Sequence, residues 1–385
     1  MQTCDVLIVG AGIAGASAAY ELAPYARVIL LERERQPGYH STGRSAAVFA
    51  PAYGNRVIRA LTAASQRFYQ DRLGGLAEPA VLRPRGALFI ARADQQAALD
   101  EMLADSAGQI AGLERLEPDQ LIARLPVLRP DYVAAGVYDP SATDLDVAAI
   151  HQAYLKGFRA RGGQLVLDAE VTRIATKVAP WRIETRAGPF EAAVLVDAGG
   201  AWADELAALA GVAPVGLVAK RRTAFLFEPS TGSERDWPVV IDAEEQFYFK
   251  PESGLLLGSP ADETPMPPSD VQPEELDVAL AIDRIERATR FRVLRVPRRW
   301  AGLRTFAPDR TPVVGMEEAA PGFFWLAGQG GYGIQTAPAL ARASARLLVD
   351  GVLPDDLLAR GLVAEDLLPL RFRLGSPTGF AAASR

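Results

Sequence analysis

The chain has 385 residues, a formal charge of −6 from 41 basic and 47 acidic residues, and 49% hydrophobic residues. These values fit a globular protein of two domains and argue against a disordered chain. The acidic balance argues against binding to nucleic acid, and one cysteine with two histidines cannot form a zinc cluster. We therefore expect a small-molecule partner and no metal.

The hydrophobic runs of the sequence are short. None reaches the roughly 20 apolar residues of a transmembrane helix, and no basic region precedes the first of them, residues 6–9. A transmembrane segment and a secretory signal are therefore not expected. The sequence predicts a cytoplasmic protein, and it leaves peripheral membrane association open.

The first 32 residues predict a strand over 5–9, a glycine turn over 10–15, a helix over 16–22 and a second strand over 27–32. This is a βαβ unit of a parallel sheet. Gly10, Gly12 and Gly15 form a Gly-x-Gly-x-x-Gly motif, and Glu32 follows Gly12 by twenty residues. The motif predicts a dinucleotide site, with phosphates at the helix start near Ile13 and Ala14 and ribose hydroxyls on Glu32.

Two later segments favour a flavin over a nicotinamide. Residues 39–47 place the hydroxyl groups of Ser41, Thr42 and Ser45 before a predicted helix start. Residues 328–335 are glycine-rich and precede a predicted helix over 337–348. The N-terminus of that helix could stabilise the negative charge on a reduced flavin. A simple tight turn is the alternative for these glycines.

The middle of the chain contains two kinds of pattern. A helix over 147–161 and strands over 164–167 and 171–174 resume the α/β unit. Short β-rich runs at 222–227, 239–242, 246–250 and 255–257 predict an antiparallel meander, followed by a Pro-rich loop at 260–273 and a helix over 275–289. From residue 300 the strand, glycine turn and helix pattern returns.

These elements predict an α/β protein with a Rossmann-type, glutathione-reductase-like FAD-binding domain and a discontinuous antiparallel-sheet substrate domain. The predicted FAD-binding domain comprises residues 1–80, 140–212 and 300–385. The predicted substrate-binding domain comprises residues 81–139 and 213–299.

Five segments together resemble the superfamily of D-amino-acid oxidase and glycine oxidase: the N-terminal motif and residues 41–47, 196–202, 300–304 and 328–335. Within it, the chain is most similar to the bacterial D-arginine dehydrogenases. The resemblance implies non-covalent FAD, because Cys4 lies in the first strand and is not the tether of the covalent relatives. It implies FAD contacts from Glu32, Arg33, Ser41, Thr42, Ser45, Ala46, Ala47, Val171, Ala198, Gly199, Trp202, Gly330, Tyr332, Gly333, Ile334 and Gln335.

The resemblance also implies which residues act on the substrate. Arg222 and Arg304 match arginines that bind the substrate carboxylate, and a planar guanidinium suits that task because it donates two parallel hydrogen bonds. Tyr53, on a short loop between Pro51 and Gly54, suits a lid that excludes water. Both Tyr53 and Tyr248 match tyrosines that contact the substrate in the family. Gly331 belongs to the same implied catalytic set. Read from pattern alone, each arginine could be a surface charge and each tyrosine a core residue.

An amine is the expected substrate. An alcohol needs a positioned base, often His, and His40 and His151 are the only histidines, each with an expected structural role. The function predicted is oxidative deamination of D-amino acids by hydride transfer from Cα to flavin N5. Oxidation of secondary amines, glycine, sarcosine or proline, oxidation of 2-hydroxy acids, and flavin binding without turnover remain alternatives. A quinone or another acceptor could take the electrons.

The chain departs from the D-arginine dehydrogenase pattern in the side-chain pocket. Ala87 replaces the carboxylate that pairs with the substrate guanidinium, and Val48 replaces an imidazole. With Ala50, these residues predict a pocket for neutral or apolar side chains, because a guanidinium buried without a partner costs several kcal/mol. Glu244 and Glu245 are candidates for a substitute charge.

Overall fold

The computed structural model describes residues 1–77, 80–106, 112–231 and 235–373. Its strands, in chain order, are β1 (Gln2–Val9), β2 (Val28–Leu31), β3 (Val48–Phe49), β4 (Leu82–Pro84), β5 (Ala87–Ala91), β6 (Glu114–Leu116), β7 (Ala135–Asp139), β8 (Thr143–Leu145), β9 (Gln164–Val166), β10 (Val171–Ile174), β11 (Trp181–Thr185), β12 (Gly188–Asp197), β13 (Val218–Pro229), β14 (Val239–Asp242), β15 (Tyr248–Glu252), β16 (Leu255–Ser259), β17 (Thr264–Pro265), β18 (Val293–Phe306), β19 (Val313–Met316) and β20 (Phe323–Ala327).

The α-helices are α1 (Ile13–Leu22), α2 (Arg56–Gln70), α3 (Gln96–Ser106), α4 (Pro118–Arg124), α5 (Val147–Ala160), α6 (Ala203–Leu209), α7 (Glu275–Ala288), α8 (Gly333–Val349) and α9 (Asp355–Leu358). None of the described helices combines the length and apolar character that a membrane crossing requires.

The first sheet contains the N-terminal strand. Strands β9, β2, β1, β12 and β20 run parallel, and β10, β11 and β19 add antiparallel partners. Side chains of β1 alternate between its two faces, so Ile8 joins a core with α1, α5 and α8, whereas Leu7 joins a core with α6 and Trp181. A strand buried on both faces reads as a continuous apolar run.

The second sheet has the order β17-β13-β16-β15-β14-β5-β7-β6, and β18 pairs with β13. Most neighbours are antiparallel, and β14 and β5 are parallel. Phe225 and Phe249 point into a core with Ile285 of α7. Because side chains alternate across a strand, Arg222 and Tyr248 lie on the opposite face. The predicted α/β fold and antiparallel meander are confirmed.

Two predicted details differ from the structure. The helix expected after Ser45 is absent: residues 48–49 form β3, which pairs with β8, and α2 begins at Arg56 with Asn55 as its N-cap. The predicted boundary at residue 300 falls inside β18, which pairs with β13 up to Phe306. The chain therefore leaves the second sheet after Phe306, and the division into two domains otherwise stays a prediction.

Candidate active site

A cavity of about 540 Å³ lies between the N-terminal glycine turn and the Arg222 face of the second sheet. Most of the predicted cofactor residues line it: Gly10, Gly12, Ile13, Ala14, Glu32, Arg33, Ser41, Thr42, Ser45, Ala46, Val171, Ala198, Gly199, Trp202, Gly330, Gly333 and Ile334. Of the predicted catalytic residues, Arg222, Tyr248, Arg304 and Gly331 line the same cavity. The structure therefore brings predicted cofactor residues and predicted catalytic residues to one continuous space, and their roles stay predictions.

Two of the motif glycines are sterically required. Gly10 has φ +103°, and a Cβ atom on it would lie 2.4 Å from the backbone oxygen of Ala198. A Cβ atom on Gly15 would lie 1.9 Å from the oxygen of Gly10, so Gly15 serves the packing of α1 and does not line the cavity. The turn thus brings bare backbone to the cavity at the start of α1, which is the arrangement that binds a pyrophosphate.

The carboxylate of Glu32 lies at the end of β2 and is buried. It accepts hydrogen bonds of 3.0 Å from the backbone N–H groups of Ala11 and Glu34, and burial raises its pKa. Beside it, the guanidinium of Arg33 lies 4.6 Å from the centre of the Trp202 ring. A carboxylate next to a flat cation–aromatic surface suits a ribose and its adenine.

The loop at 38–46 joins the glycine turn to the second sheet. The backbone N–H of Ile13 donates to Thr42 Oγ1 at 3.0 Å, and Ser41 Oγ donates to the backbone oxygen of Leu303 at 2.5 Å. Arg44 donates to the oxygen of Ala301 at 3.0 Å. These hydroxyls therefore hold the loop in place and still present lone pairs to the cavity.

The two histidines have structural partners. His40 Nε2 lies 2.9 Å from Glu34 Oε1, and its ring packs on Trp202 at the end of the cavity remote from Arg304. His151 is buried, and its Nε2 lies 2.8 Å from the oxygen of Ala11. Burial lowers the pKa of His151, so this ring is neutral and donates to Ala11.

The start of α8 closes the other end of the cavity. Gly330 has φ +56° and donates its N–H to the oxygen of Thr305 at 2.8 Å. Besides Gly15, three predicted cofactor residues, Ala47, Tyr332 and Gln335, do not line the cavity. Gln335 instead binds Thr62 and the backbone of Ala50, and this correction has a physical reason: successive residues in a helix point in different directions.

Arg304 carries a guanidinium that faces the cavity. Within the described ranges, no side-chain or backbone oxygen accepts a hydrogen bond from it. Burial opposes its charge, but the nearby Tyr53, Tyr248 and Glu245 outweigh that effect and raise its pKa. A half-buried guanidinium without an acceptor has donors available for a ligand carboxylate.

Arg222 is the second cavity arginine and is only 7% exposed. Its Nε donates to the oxygen of Asp262 at 2.9 Å, and its Nη2 lies 3.4 Å from Glu263 Oε1. On β18 its cross-strand partner is Gly302, which leaves room above it. Arg222 and Arg304 therefore share one face of the β13–β18 pair.

Tyr53 lies outside the cavity lining but next to its mouth. Its hydroxyl donates to Glu245 Oε2 at 2.9 Å, and its ring lies 5.1 Å from that of Tyr332. Burial and the neighbouring Glu245 raise the pKa of Tyr53. The hydroxyl therefore stays protonated and acts as a donor.

The three predicted side-chain pocket residues are apolar neighbours of the site. Ala87 is fully buried, and Val48 packs against the cluster that contains it. Ala50 is 4% exposed. None of the three lines the cavity itself. Their role in side-chain selection stays a prediction.

Sequence reasoning missed a group of charges beside Arg222. Glu263 accepts from Lys220 Nζ at 2.8 Å and from both Nη atoms of Arg310 at 2.8 and 3.0 Å. It also missed that Glu245 binds Tyr53, whereas Glu244 binds Gln95. No local pattern marks these residues, because each pair is distant in the chain.

The residues at the cavity fit FAD. Bare glycine backbone, a carboxylate suited to ribose hydroxyls and a second glycine-rich helix start all line it. Buried Cys4 packs in the core with Leu7 and does not line the cavity. Across the described residues, no group of three or more His, Cys, Asp or Glu side chains is arranged to hold a metal ion.

The comparisons with known proteins agree with this site. FAD-dependent oxidoreductase domain-containing protein 1 of Xenopus laevis is 25% identical over 91% of this chain and 80% of that protein. Mitochondrial dimethylglycine dehydrogenase of Homo sapiens is 25% identical over 92% of this chain but only 43% of that enzyme. The crystal structure of L-proline dehydrogenase from P. horikoshii has a TM-score of 0.83 at 21% identity, covering 97% and 99% of the two chains, which shows a shared fold.

A family model described as FAD dependent oxidoreductase matches residues 5–347. That range includes the glycine turn, both cavity arginines and the start of α8. The chain therefore belongs to the family of FAD-dependent oxidoreductases, and FAD is its cofactor.

Proposed function

We propose that the protein oxidatively deaminates D-amino acids. One observation carries the proposal: the guanidinium of Arg304 faces the cavity with no acceptor among the described residues. Such a group requires an anion, and a carboxylate is the anion that a guanidinium binds in a bidentate way. When bound, FAD supplies the acceptor for a hydride at its N5 atom, and a substrate Cα supplies that hydride.

The two arginines would fix the substrate's orientation. Arg304 contributes free donors, and Arg222 is held at Nε by the oxygen of Asp262, which leaves Nη1 for a ligand. A carboxylate held at two points has its adjacent Cα in a defined position. Tyr248, on the same sheet face and in the cavity lining, would contact that substrate.

The substrate amine needs no strong base in this chain. The amine must be neutral when Cα loses its hydride, and its ammonium form can release a proton to water. The raised pKa of Tyr53 argues against this phenol as the proton acceptor. The imine formed then takes up water and yields a 2-oxo acid and ammonia.

A neutral or apolar substrate side chain is the finer part of the proposal. Ala87 and Val48 are apolar where the D-arginine dehydrogenases resembled by this chain have a carboxylate and an imidazole, and Ala50 is apolar as well. Glu245 lies close enough to Arg304 to raise its pKa, and it is already bound by Tyr53. Turnover of D-Arg or D-Lys tenfold above D-Met, D-Leu and D-Phe would contradict this preference.

A secondary amine is the second candidate substrate. The name of L-proline dehydrogenase favours it, and the name of dimethylglycine dehydrogenase extends the candidate to a tertiary amine. Such a substrate would use the same arginines, because it also carries a carboxylate. A 2-hydroxy acid is less well supported, since no histidine faces the reacting end.

Anaerobic stopped-flow reduction of the FAD-loaded protein tests these alternatives. The panel is D- and L-amino acids, proline, dimethylglycine and 2-hydroxy acids. Bleaching of the flavin by D-amino acids at least tenfold faster than by the others is the expected result. Faster bleaching by an L-amino acid, a secondary amine or a hydroxy acid would replace the proposal. Admission of air, or of a quinone, then identifies the electron acceptor.

A further inference from the structure

Glu263 lies between β16 and β17 and is surrounded by three cations. Its carboxylate is 2.8 Å from Lys220 Nζ, 2.8 and 3.0 Å from the two Nη atoms of Arg310, and 3.4 Å from Nη2 of Arg222. Burial opposes its charge, but the hydrogen bonds from Arg310 and Lys220 outweigh that effect and lower its pKa to about 2. Glu263 is therefore ionised at any physiological pH.

This carboxylate is directly next to the substrate end of the cavity. Lys220 is the cross-strand partner of Arg304, and Arg222 follows it by two residues on β13. All three side chains therefore leave the same face of the sheet. Arg222 connects the cavity with Glu263, because it lines the cavity and also contacts the Glu263 carboxylate.

The cations would form a second anion site if Glu263 were absent. Lys220, Arg310 and part of Arg222 would then have unpaired charge beside the carboxylate clamp. Glu263 fills that position with a carboxylate of the chain itself. A substrate with a second carboxylate would bring it towards the negative charge of Glu263, and like charges in a partly buried site repel strongly.

We propose that Glu263 restricts the substrate to molecules with a single carboxylate and excludes dicarboxylates. The inference rests on the proposed function, because it requires that Arg222 and Arg304 bind a substrate carboxylate. It adds a substrate class: amino acids with acidic side chains and amines that carry two carboxylates are rejected.

The test measures the binding of propionate and of succinate to the FAD-loaded protein. The change in the flavin absorbance spectrum is the signal of binding. The wild-type protein is expected to bind propionate more tightly than succinate. In Glu263→Gln, the ratio of the propionate Kd to the succinate Kd should rise by about tenfold or more, the size of a gained charged hydrogen bond. The double variant Glu263→Gln/Arg310→Gln also lacks one of the three cations around residue 263. Its ratio should return towards the wild-type value.

A matched control is Glu184→Gln, which removes an exposed carboxylate of the first sheet whose one ion-pair partner among the described residues is Arg173. Its ratio should equal that of the wild type. An unchanged ratio in Glu263→Gln, with propionate still bound, overturns the role of Glu263 alone. A wild-type protein that binds neither acid has no carboxylate clamp, and both proposals then fail.

If Glu263→Gln does not accumulate as folded protein, Glu263→Ser gives the same comparison with more space for the ligand. Loss of FAD binding in both variants would show that Glu263 is required for the fold, and this would also overturn the proposal.

Discussion

The guanidinium of Arg304 lies directly against the backbone of Gly331. A Cβ atom on Gly331 would be 2.7 Å from Nη1 of Arg304 and 2.9 Å from Cζ. The glycine-rich loop before α8 and strand β18 therefore meet at this pair. Any side chain at residue 331 must displace the guanidinium.

We expect Gly331→Ala to fold and to hold FAD but to bind substrate poorly. The atom that must move is the end of a flexible side chain, so the cost in stability is small. The displaced guanidinium no longer points at the substrate carboxylate. Each charged hydrogen bond lost costs about 1.5–3 kcal/mol, or about tenfold to 150-fold in kcat/KM. In an Arg304→Met background the same glycine change should have almost no further effect. A full additional loss in that background would mean that Gly331 acts independently of Arg304.

Tyr53→Phe separates a donor role from a base role. The raised pKa of this phenol and its hydrogen bond to Glu245 favour a donor that closes the mouth of the cavity. We expect kcat/KM to fall by less than about tenfold, the value of one ordinary hydrogen bond, with an unchanged pH midpoint for flavin reduction. Tyr25→Phe, at a residue 61% exposed, is the control. Loss of the acidic limb of the pH profile in Tyr53→Phe, the range in which the rate rises with pH as a base loses its proton, would identify Tyr53 as the proton acceptor.

Gly10→Ala should weaken FAD binding. The new methyl group would lie 2.4 Å from a backbone oxygen, and φ +103° strains any side chain by about 1–3 kcal/mol. FAD affinity should therefore fall about tenfold or more. Gly162→Ala is the matched control: its φ is +85°, but no atom lies within 4 Å of the new methyl group. It shares the backbone strain without the clash, so the flavin content after purification distinguishes the two causes.

The parts of the fold that the sequence predicts are those with local causes. The first glycine turn could be assigned because Gly10 and Gly15 act within a few residues of their own position. Residues 45–50 were misassigned because β3 forms only by pairing with β8, almost a hundred residues later. A strand of two residues is too short to show the alternating hydrophobic pattern by which a strand is recognised in a sequence.

The residues of the candidate site also differ in whether the sequence could predict them. Arg222 and Arg304 were predicted through a resemblance to relatives and not through spacing, since an arginine on a strand is usually a surface charge. Glu263 could not be predicted. It lies in a proline-rich loop, and its partners Lys220 and Arg310 are 43 and 47 residues away.

His151 should make stability depend on pH. Its pKa is lowered by burial, although its hydrogen bond to Ala11 acts in the opposite direction. Below the ordinary value of 6.5 the unfolded chain therefore binds a proton that folded His151 does not, so the stability present above that pH is lost as the pH falls.

In His151→Gln the amide can still donate to Ala11 but does not titrate. Urea unfolding at pH 7.5 and 5.5 should show a larger loss for the wild type than for His151→Gln. Buried carboxylates with a raised pKa, such as Glu32, change the stability in the opposite direction. Their contribution is the same in the wild type and in His151→Gln, so it cancels in the comparison. Equal losses would mean that His151 takes up its proton in the folded state as readily as in the unfolded chain.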